Sequence, residues 1–205
     1  MMRKYTQPVI NEVARFFNYF SRGKLSPNGL TLITLLLHLV VIWLIISQHL
    51  VWAGVSLILF SSLDAIDGAL ARIQKRVTDF GGWLDACSDR LKEILVFVGL
   101  TYYLIELGEP TWILLLAISC LALALLISYI KAKAEAIIAA QTKISFTKLN
   151  RIFGGGWGYD LRVLILGLTL IINQIPIGLI VLILGSIYTI ISRSFKFKKA
   201  LKSKP

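Results

Sequence analysis

The chain has 205 residues, 57% of them hydrophobic, with a mean hydropathy of +0.76 and a formal net charge of +11. Soluble domains run nearer about 45–50% apolar, so this composition argues against a soluble globular protein and for lipid as the solvent. In that setting the positive charge points to anionic head groups or a phosphate-bearing substrate rather than to nucleic acid.

In chain order, the first pattern is Val9, Ile10, Val13, Phe16, Phe17 and Phe20 at helical spacing, with Arg3, Lys4, Arg15 and Arg22 among or beside them. It reads as an amphipathic helix on the cytoplasmic membrane surface, or as a helix packed on the protein's own cytoplasmic face. No apolar core with a small-residue cleavage site follows Arg3 and Lys4, so no cleaved signal peptide is expected. Ser26-Pro27-Asn28 then breaks the chain.

A helix needs about 20 apolar residues to cross about 30 Å of hydrocarbon. Residues 29–47, 110–130 and 176–192 meet this need without a charge. Residues 161–173 are apolar but short, and are also read as a span. Residues 51–74 begin apolar and then meet Asp64 and Asp67; residues 81–105 begin with Asp85 and Asp89 and finish apolar. The total is six spans. Lys and Arg test that count independently. There are five in residues 1–28, none in 48–52, five in 72–92, none in 106–111, six in 131–162, none in 173–176 and six in 193–205. Alternate connections are therefore basic or free of Lys and Arg, which predicts an even number of spans with both termini cytoplasmic. The expected division is a juxtamembrane amphipathic helix over 1–28, a six-helix transmembrane catalytic domain over 29–195, and a basic, frayed cytoplasmic tail over 196–205. The fold class is all-α integral membrane.

The informative stretch runs from Leu63 to Arg90. Asp64 and Asp67 are i,i+3, and Asp85 and Asp89 are i,i+4, so each pair shares a helix face. A short turn near Asp79-Phe80-Gly81-Gly82 would bring the two faces together at the cytoplasmic side. Intramembrane carboxylates are costly and mark functional sites. Four of them stay ionised together only with cations between them, and hard oxygen ligands without His or Cys suit Mg²⁺ or Mn²⁺. Two other readings compete. Asp64 and Asp67 could pair with Arg72, and Asp89 with Arg90 or Lys92, as plain ion pairs. Alternatively, the acids could serve a cation- or proton-coupled carrier, although a carrier favours broken midplane helices in both halves of the chain.

The residues also carry a family resemblance. Asp64, Asp67, Gly68, Ala71, Arg72, Gly81, Asp85 and Asp89 match the pattern D-x2-D-G-x2-A-R-x8-G-x3-D-x3-D at every spacing. This pattern is similar to the signature of the CDP-alcohol phosphotransferases. Membrane prenyltransferases also use acids with Mg²⁺, but in two separated clusters without the Gly and Ala-Arg. The resemblance implies transfer of a phosphatidyl or archaetidyl group from a CDP-linked lipid to the hydroxyl of a small polar alcohol, releasing CMP in phospholipid biosynthesis. It implies two divalent ions, Mg²⁺ or Mn²⁺, on Asp64, Asp67, Asp85 and Asp89, with Asp89 also the general base. It implies further that Gly68, Ala71, Arg72 and Thr78 lie at the CDP-lipid, and that the enzyme is a homodimer. Arg suits that site because its planar fork binds phosphate oxygens in pairs.

For the acceptor, the segment Ser128-Tyr129-Ile130-Lys131-Ala132-Lys133-Ala134-Glu135 resembles one in enzymes that make phosphatidylinositol phosphate and phosphatidylglycerol phosphate. The resemblance gives Ser128 and Lys131 to the acceptor phosphate; a snorkelling lysine is the plain reading. Arg162, in Gly158-Tyr159-Asp160-Leu161-Arg162, and Arg193 are further candidates for phosphate contact. The link from Lys131 to Arg162 is long and contains Gly154-Gly155-Gly156. Several cations suit a phosphorylated acceptor, with inositol phosphate favoured over glycerol 3-phosphate. The remaining residues receive no chemistry. His38 is expected to be a satisfied membrane-helix histidine. Trp43, Trp52, Trp83, Trp112 and Trp157 read as interfacial anchors. Cys87 and Cys120 read as free buried thiols.

Overall fold

The computed structural model describes the backbone of residues 2–141 and 157–202 and the side chains of residues 8–140 and 157–201. The described residues form seven α-helices and no strand. They are α1 (Met2–Phe20), α2 (Pro27–Ile46), α3 (Leu50–Ile73), α4 (Asp79–Glu106), α5 (Thr111–Gln141), α6 (Tyr159–Ile171) and α7 (Ile175–Lys202). The chain divides into two compact units, Met1–Tyr103 and Leu104–Pro205.

The six helices after α1 fall on the six expected apolar segments. By length and apolarity, four can cross a membrane: Pro27–Ile46, Leu50–Ile73, Thr111–Ala140 and Ile175–Leu201. The other two are limited by their sequences. α4 opens on Asp79-Phe80-Gly81-Gly82 and carries Asp85, Asp89, Arg90, Lys92 and Glu93 in its first half. α6 has 13 residues. Leu32, Leu36, Leu39, Val40 and Trp43 are exposed along α2, as are Leu115 and Ile118 on α5 and Ile177, Leu184, Tyr188 and Ile191 on α7. Apolar faces of this length fit a multi-pass membrane protein, because lipid rather than water satisfies them.

Short connections follow from how the helices end. α2, α3 and α6 each stop in the same way. The residue after the C-cap takes positive φ, namely Gln48 at 64°, Lys75 at 54° and Asn173 at 53°. Its amide bonds to Ile45, Arg72 or Leu170, and the next amide reaches back to Leu44, Ala71 or Thr169. This is the paired closure that satisfies the last carbonyls of a helix. Glycine is its usual carrier, and none stands at these three positions, so the sequence did not announce them. The start of α2 was announced: Ser26 accepts from Gly29 N at 3.5 Å, with Pro27 following.

Within the first unit, α1 packs on α3. Ala14 joins Leu30, Ile66, Ala69 and Leu70 in a buried cluster, flanked by Ile10, Val13 and Phe17. Val9, Phe16 and Phe20 form a neighbouring stripe that stays exposed, with the Phe16 and Phe20 rings stacked. The two readings of this helix thus divide between two faces. Gln74 ties α1 down, donating to Asn18 Oδ1 and to the Leu25 carbonyl at 2.9 Å each. Behind α3, a Cβ on Gly99 would meet Ile42 Cγ2 at 2.8 Å, so α2 and α4 touch where only glycine fits.

In the second unit, α7 packs along α5 and α6. A Cβ on Gly178 would lie 2.0 Å from Thr169 Oγ1, and one on Gly185 would lie 2.2 Å from the Trp157 ring. α5 continues past its lysines to Gln141, since Lys, Ala and Glu are good helix formers. Three expectations are corrected here. The tail is not frayed through its described part: α7 runs to Lys202, with Phe197 and Ala200 packed on Ala134 and Ile138. Trp157 is also not an anchor at a span end, since its ring lies on Gly185. Trp43, Trp52, Trp83 and Trp112 are exposed, as an interfacial role requires. Cys120 is buried, but Cys87 is exposed, because it faces away from Ser88 and Lys92, the buried side of α4. The Gly154-Gly155-Gly156 link lies outside the described residues.

Candidate active site

All four predicted aspartates belong to the α3–α4 hairpin of the first unit. The turn falls earlier than expected, at residues 74–78, and residues 79–82 form the first turn of α4. Thr78 starts that helix, its Oγ1 accepting from Gly81 N at 3.0 Å. A Cβ on Gly81 would meet Asn28 Oδ1 at 3.0 Å and Thr78 Oγ1 at 3.1 Å, a tight fit that a larger residue would meet only by shifting these side chains. Gly68 differs. A Cβ there would meet only Arg72 Nη1, at an ordinary 3.6 Å, so nothing within the chain demands glycine at that position. Arg72 itself is exposed at the end of α3.

The acids face a common region. The charges of Asp64 and Asp85 both act on Asp67 and on Asp89. Asp67 is 6% exposed, and its Oδ2 accepts from Thr31 Oγ1 at 2.6 Å. Asp64 Oδ1 accepts from Lys92 Nζ at 2.6 Å, whereas its buried Oδ2 has no hydrogen-bond partner. Lys92 is 1% exposed and also donates to Thr34 Oγ1 at 3.1 Å. Thr34 Oγ1 in turn donates to the Thr31 carbonyl at 2.8 Å. His38 Nδ1 donates to the Thr34 carbonyl at 2.7 Å, and Nε2 meets Ser61 Oγ at 3.3 Å. His38 is thus a satisfied buried histidine. Asp89 lies 3.7 Å from Arg90 Nη2, and the other arm of Arg90 pairs with Glu93.

The plain ion-pair reading holds for Asp89 with Arg90 and is corrected in its other partners. Lys92 serves Asp64 on the other helix instead of Asp89 on its own, and Arg72 forms no ion pair with Asp64 or Asp67 among those the structure shows. The sequence reading missed Thr31 and Thr34 and gave Lys92 a different partner. The threonines and His38 had a legible signal, lying at i, i+3 and i+7 in an otherwise apolar span.

Among the described residues, no three His, Cys, Asp or Glu side chains converge closely enough to share a metal ion. The donor chemistry nevertheless fits one. Asp64 Oδ2 is an orphaned buried carboxylate oxygen, which is costly unless something electropositive meets it. All four acids offer hard oxygen, the preference of Mg²⁺ and Mn²⁺.

The predicted acceptor residues belong to the second unit. Arg162 and Arg193 are 6% and 7% exposed. Arg193 Nη1 donates to the Ile127 carbonyl at 2.9 Å, next to Ser128, which donates to the Ala124 carbonyl at 3.1 Å. Arg162 Nη1 donates to the Trp157 carbonyl at 3.0 Å, and Trp157 N donates to Thr189 Oγ1 at 2.8 Å, one turn before Arg193 on α7. Lys131 Nζ lies 3.8 Å from Glu135 Oε1.

Several long apolar helices with lipid-compatible faces fit a multi-pass membrane protein, and it carries a partly buried cluster of four carboxylates on the α3–α4 hairpin. The chain belongs to the CDP-alcohol phosphatidyltransferase family, whose model matches residues 24–191. It is 32% identical over 187 residues to an uncharacterized protein of Aquifex aeolicus, covering 91% of this chain and 89% of that one. It is 32% identical to the phosphatidylinositol phosphate synthase of Corynebacterium glutamicum over 197 residues, covering 93% and 84%. It is 26% identical to the archaetidylinositol phosphate synthase of Pyrococcus horikoshii over 202 residues, covering 98% and 99%. The fold is similar to that of Mycobacterium tuberculosis phosphatidylinositol phosphate synthase with CDP-DAG bound, with a TM-score of 0.75 at 23% identity over 93% of this chain and 94% of that one. A structure of the same enzyme with manganese and citrate gives a TM-score of 0.71, also at 23% identity, over 92% and 88%. The chain is thus an enzyme, a phosphatidyltransferase, and the carrier reading is set aside.

Proposed function

We propose that this enzyme transfers the lipid phosphoryl group of a CDP-linked lipid to inositol phosphate, releasing CMP, with glycerol 3-phosphate the second-choice acceptor. The observation that carries the acceptor is the agreement of long-range relatives. Proteins matched over most of their length are named for inositol phosphate products in both a bacterium and an archaeon, although their lipids differ.

The donor and metal chemistry is assigned to the first unit. Asp64, Asp67, Asp85 and Asp89 would hold two divalent ions, Mg²⁺ or Mn²⁺. Such ions supply charge neutralisation at the pyrophosphate and stabilise the entering and leaving oxygens. Gly68 and Ala71 are assigned to the close approach of the nucleotide to the α3 backbone, and the absence of any tight contact at Gly68 within the described residues supports this. Arg72, exposed at the end of α3, is assigned to the donor phosphates, and Thr78 to the neighbourhood of the cytidine.

Ser128, Lys131, Arg162 and Arg193 are assigned to the acceptor phosphate. Burial of both arginines supports this, since buried guanidinium groups are held for a purpose that outweighs desolvation. Asp89 accepts the proton of the acceptor hydroxyl. That oxygen then attacks the lipid-side phosphorus, the bond to the bridging oxygen breaks, and CMP leaves with that oxygen. The wider reading has six spans, a catalytic domain over 29–195, both termini and the acidic site on the cytoplasmic side, and a homodimer.

The test is CMP release from CDP-diacylglycerol and its ether-linked counterpart, with Mg²⁺ and separate arms of inositol phosphate, glycerol 3-phosphate, free inositol and serine. Inositol phosphate is expected to give the highest kcat/KM. A higher value with glycerol 3-phosphate, or with an unphosphorylated alcohol, overturns the acceptor assignment.

A further inference from the structure

The structure assigns Lys92 as a positioning residue that commits Asp64 to bind its ion through Oδ2 alone; the assignment rests on the metal reading above. Three observations meet at this side chain. Lys92 is the largest fully buried side chain among the described residues, at 1% exposure. Its ammonium is held from both sides, at 2.6 Å from Asp64 Oδ1 on α3 and 3.1 Å from Thr34 Oγ1 on α2. The second Asp64 oxygen is buried and carries no hydrogen bond.

A carboxylate free to rotate can bind a cation with either oxygen or with both. Here Oδ1 is already engaged by a charge-assisted bond, the stronger kind. What remains for a cation is one oxygen with a fixed direction. Asp67 is treated alike, with Thr31 on its Oδ2 at 2.6 Å. α2 thus carries no ligand of its own, yet Thr31 and Thr34 set how both acids of α3 are presented. Lys92 also lowers the net charge of the acid cluster by one unit, so the four carboxylates can be built into the fold at lower electrostatic cost before any ion binds.

A partner on the far side of a metal ligand typically governs affinity by 10–100-fold when removed. Lys92→Met keeps the length and apolar stem but removes the ammonium. In the full-length protein in detergent, without lipid substrate, Mn²⁺ binding by titration calorimetry or electron paramagnetic resonance is expected to weaken by roughly 10–100-fold. Lys92→Arg should recover part of that loss. Thr34→Val, which removes the other contact of the ammonium, should weaken Mn²⁺ binding less and in the same direction, and it guards against a Lys92→Met protein that does not fold. Melting temperature in chelator is measured alongside, because a purely structural Lys92 would lower it and leave Mn²⁺ affinity unchanged.

Unchanged or tighter Mn²⁺ binding in folded Lys92→Met overturns the inference, the tighter result meaning that the ion displaces the ammonium. Asp64→Asn separates the two layers. If it binds Mn²⁺ like the wild type, the metal reading itself has failed. If it loses Mn²⁺ while Lys92→Met and Thr34→Val do not, only the role of Lys92 has failed.

Discussion

Replacing Gly185 by Ala tests whether the second unit holds its buried arginine through a tryptophan. The added Cβ would lie 2.2 Å from two atoms of the Trp157 ring. Carbon atoms rest at about 3.5 Å or more, so the ring must retreat by roughly 1.3 Å. Trp157 is bonded at both ends of its own peptide unit, its amide to Thr189 Oγ1 at 2.8 Å and its carbonyl to Arg162 at 3.0 Å. A retreat of that size breaks the first bond, worth about 1 kcal/mol, and loosens the second, a charged donor worth about 1.5–3 kcal/mol. Overpacking adds about 1–3 kcal/mol, against about 0.5–1 kcal/mol regained from the alanine in a helix. A misplacement near 1 Å in a substrate-binding group costs up to about 100-fold. In a CMP-release assay the KM for inositol phosphate should therefore rise by about 10–100-fold, with the CDP-lipid KM within about 2-fold of wild type. Trp157→Ala supplies the control, since without the ring Gly185→Ala should be neutral or mildly stabilising. A Gly185→Ala enzyme with wild-type melting temperature and acceptor KM refutes both the packing and its link to Arg162.

Four further outcomes are expected. Asp89→Asn should abolish CMP release while CDP-lipid and Mn²⁺ binding survive in part, and wild-type turnover would remove Asp89 from the role of base. Lys131→Ala should raise the acceptor KM far more than the donor KM; equal effects on both would take it out of the acceptor site. Thr78→Ala should cost about 1 kcal/mol through loss of the α4 cap. Thr78→Asp should restore that stability, and recovery of the donor KM by the same substitution would argue against a contact with the cytidine. Chelation of divalent ions should stop turnover, with Mg²⁺ or Mn²⁺ restoring it; activity that persists in chelator contradicts the assignment of the four aspartates.

The acidic hairpin was legible because charge is conspicuous in apolar sequence, and the interval between Asp64 and Asp89 leaves room for only one turn. The helices after α1 were legible from apolar runs, and their starts came within a few residues. What escaped was tertiary. Lys92 stands three residues after Asp89, which suggested a partner on its own helix, whereas its ammonium reaches across to Asp64. Thr31 and Thr34 drew no reading at all, because only the packing of α2 shows them bonded to Asp67 and Lys92. Trp157 near a span end resembled an anchor, and only the bare face of Gly185 reveals where the ring goes. The end of α7 was misread for a related reason. Lysine marks the limit of lipid, not the limit of a helix, and Phe197 and Ala200 among the lysines were the sign that this stretch still had a partner.

The paired ends of α5 and α7 also have a practical use. Because Phe197 and Ala200 seat on Ala134 and Ile138, α7 leaves its last described turn as a stiff rod and not as a tether. A soluble helical protein grafted in register onto that rod would inherit its direction. It would then serve as a fixed landmark for imaging a small enzyme otherwise hidden within its detergent belt.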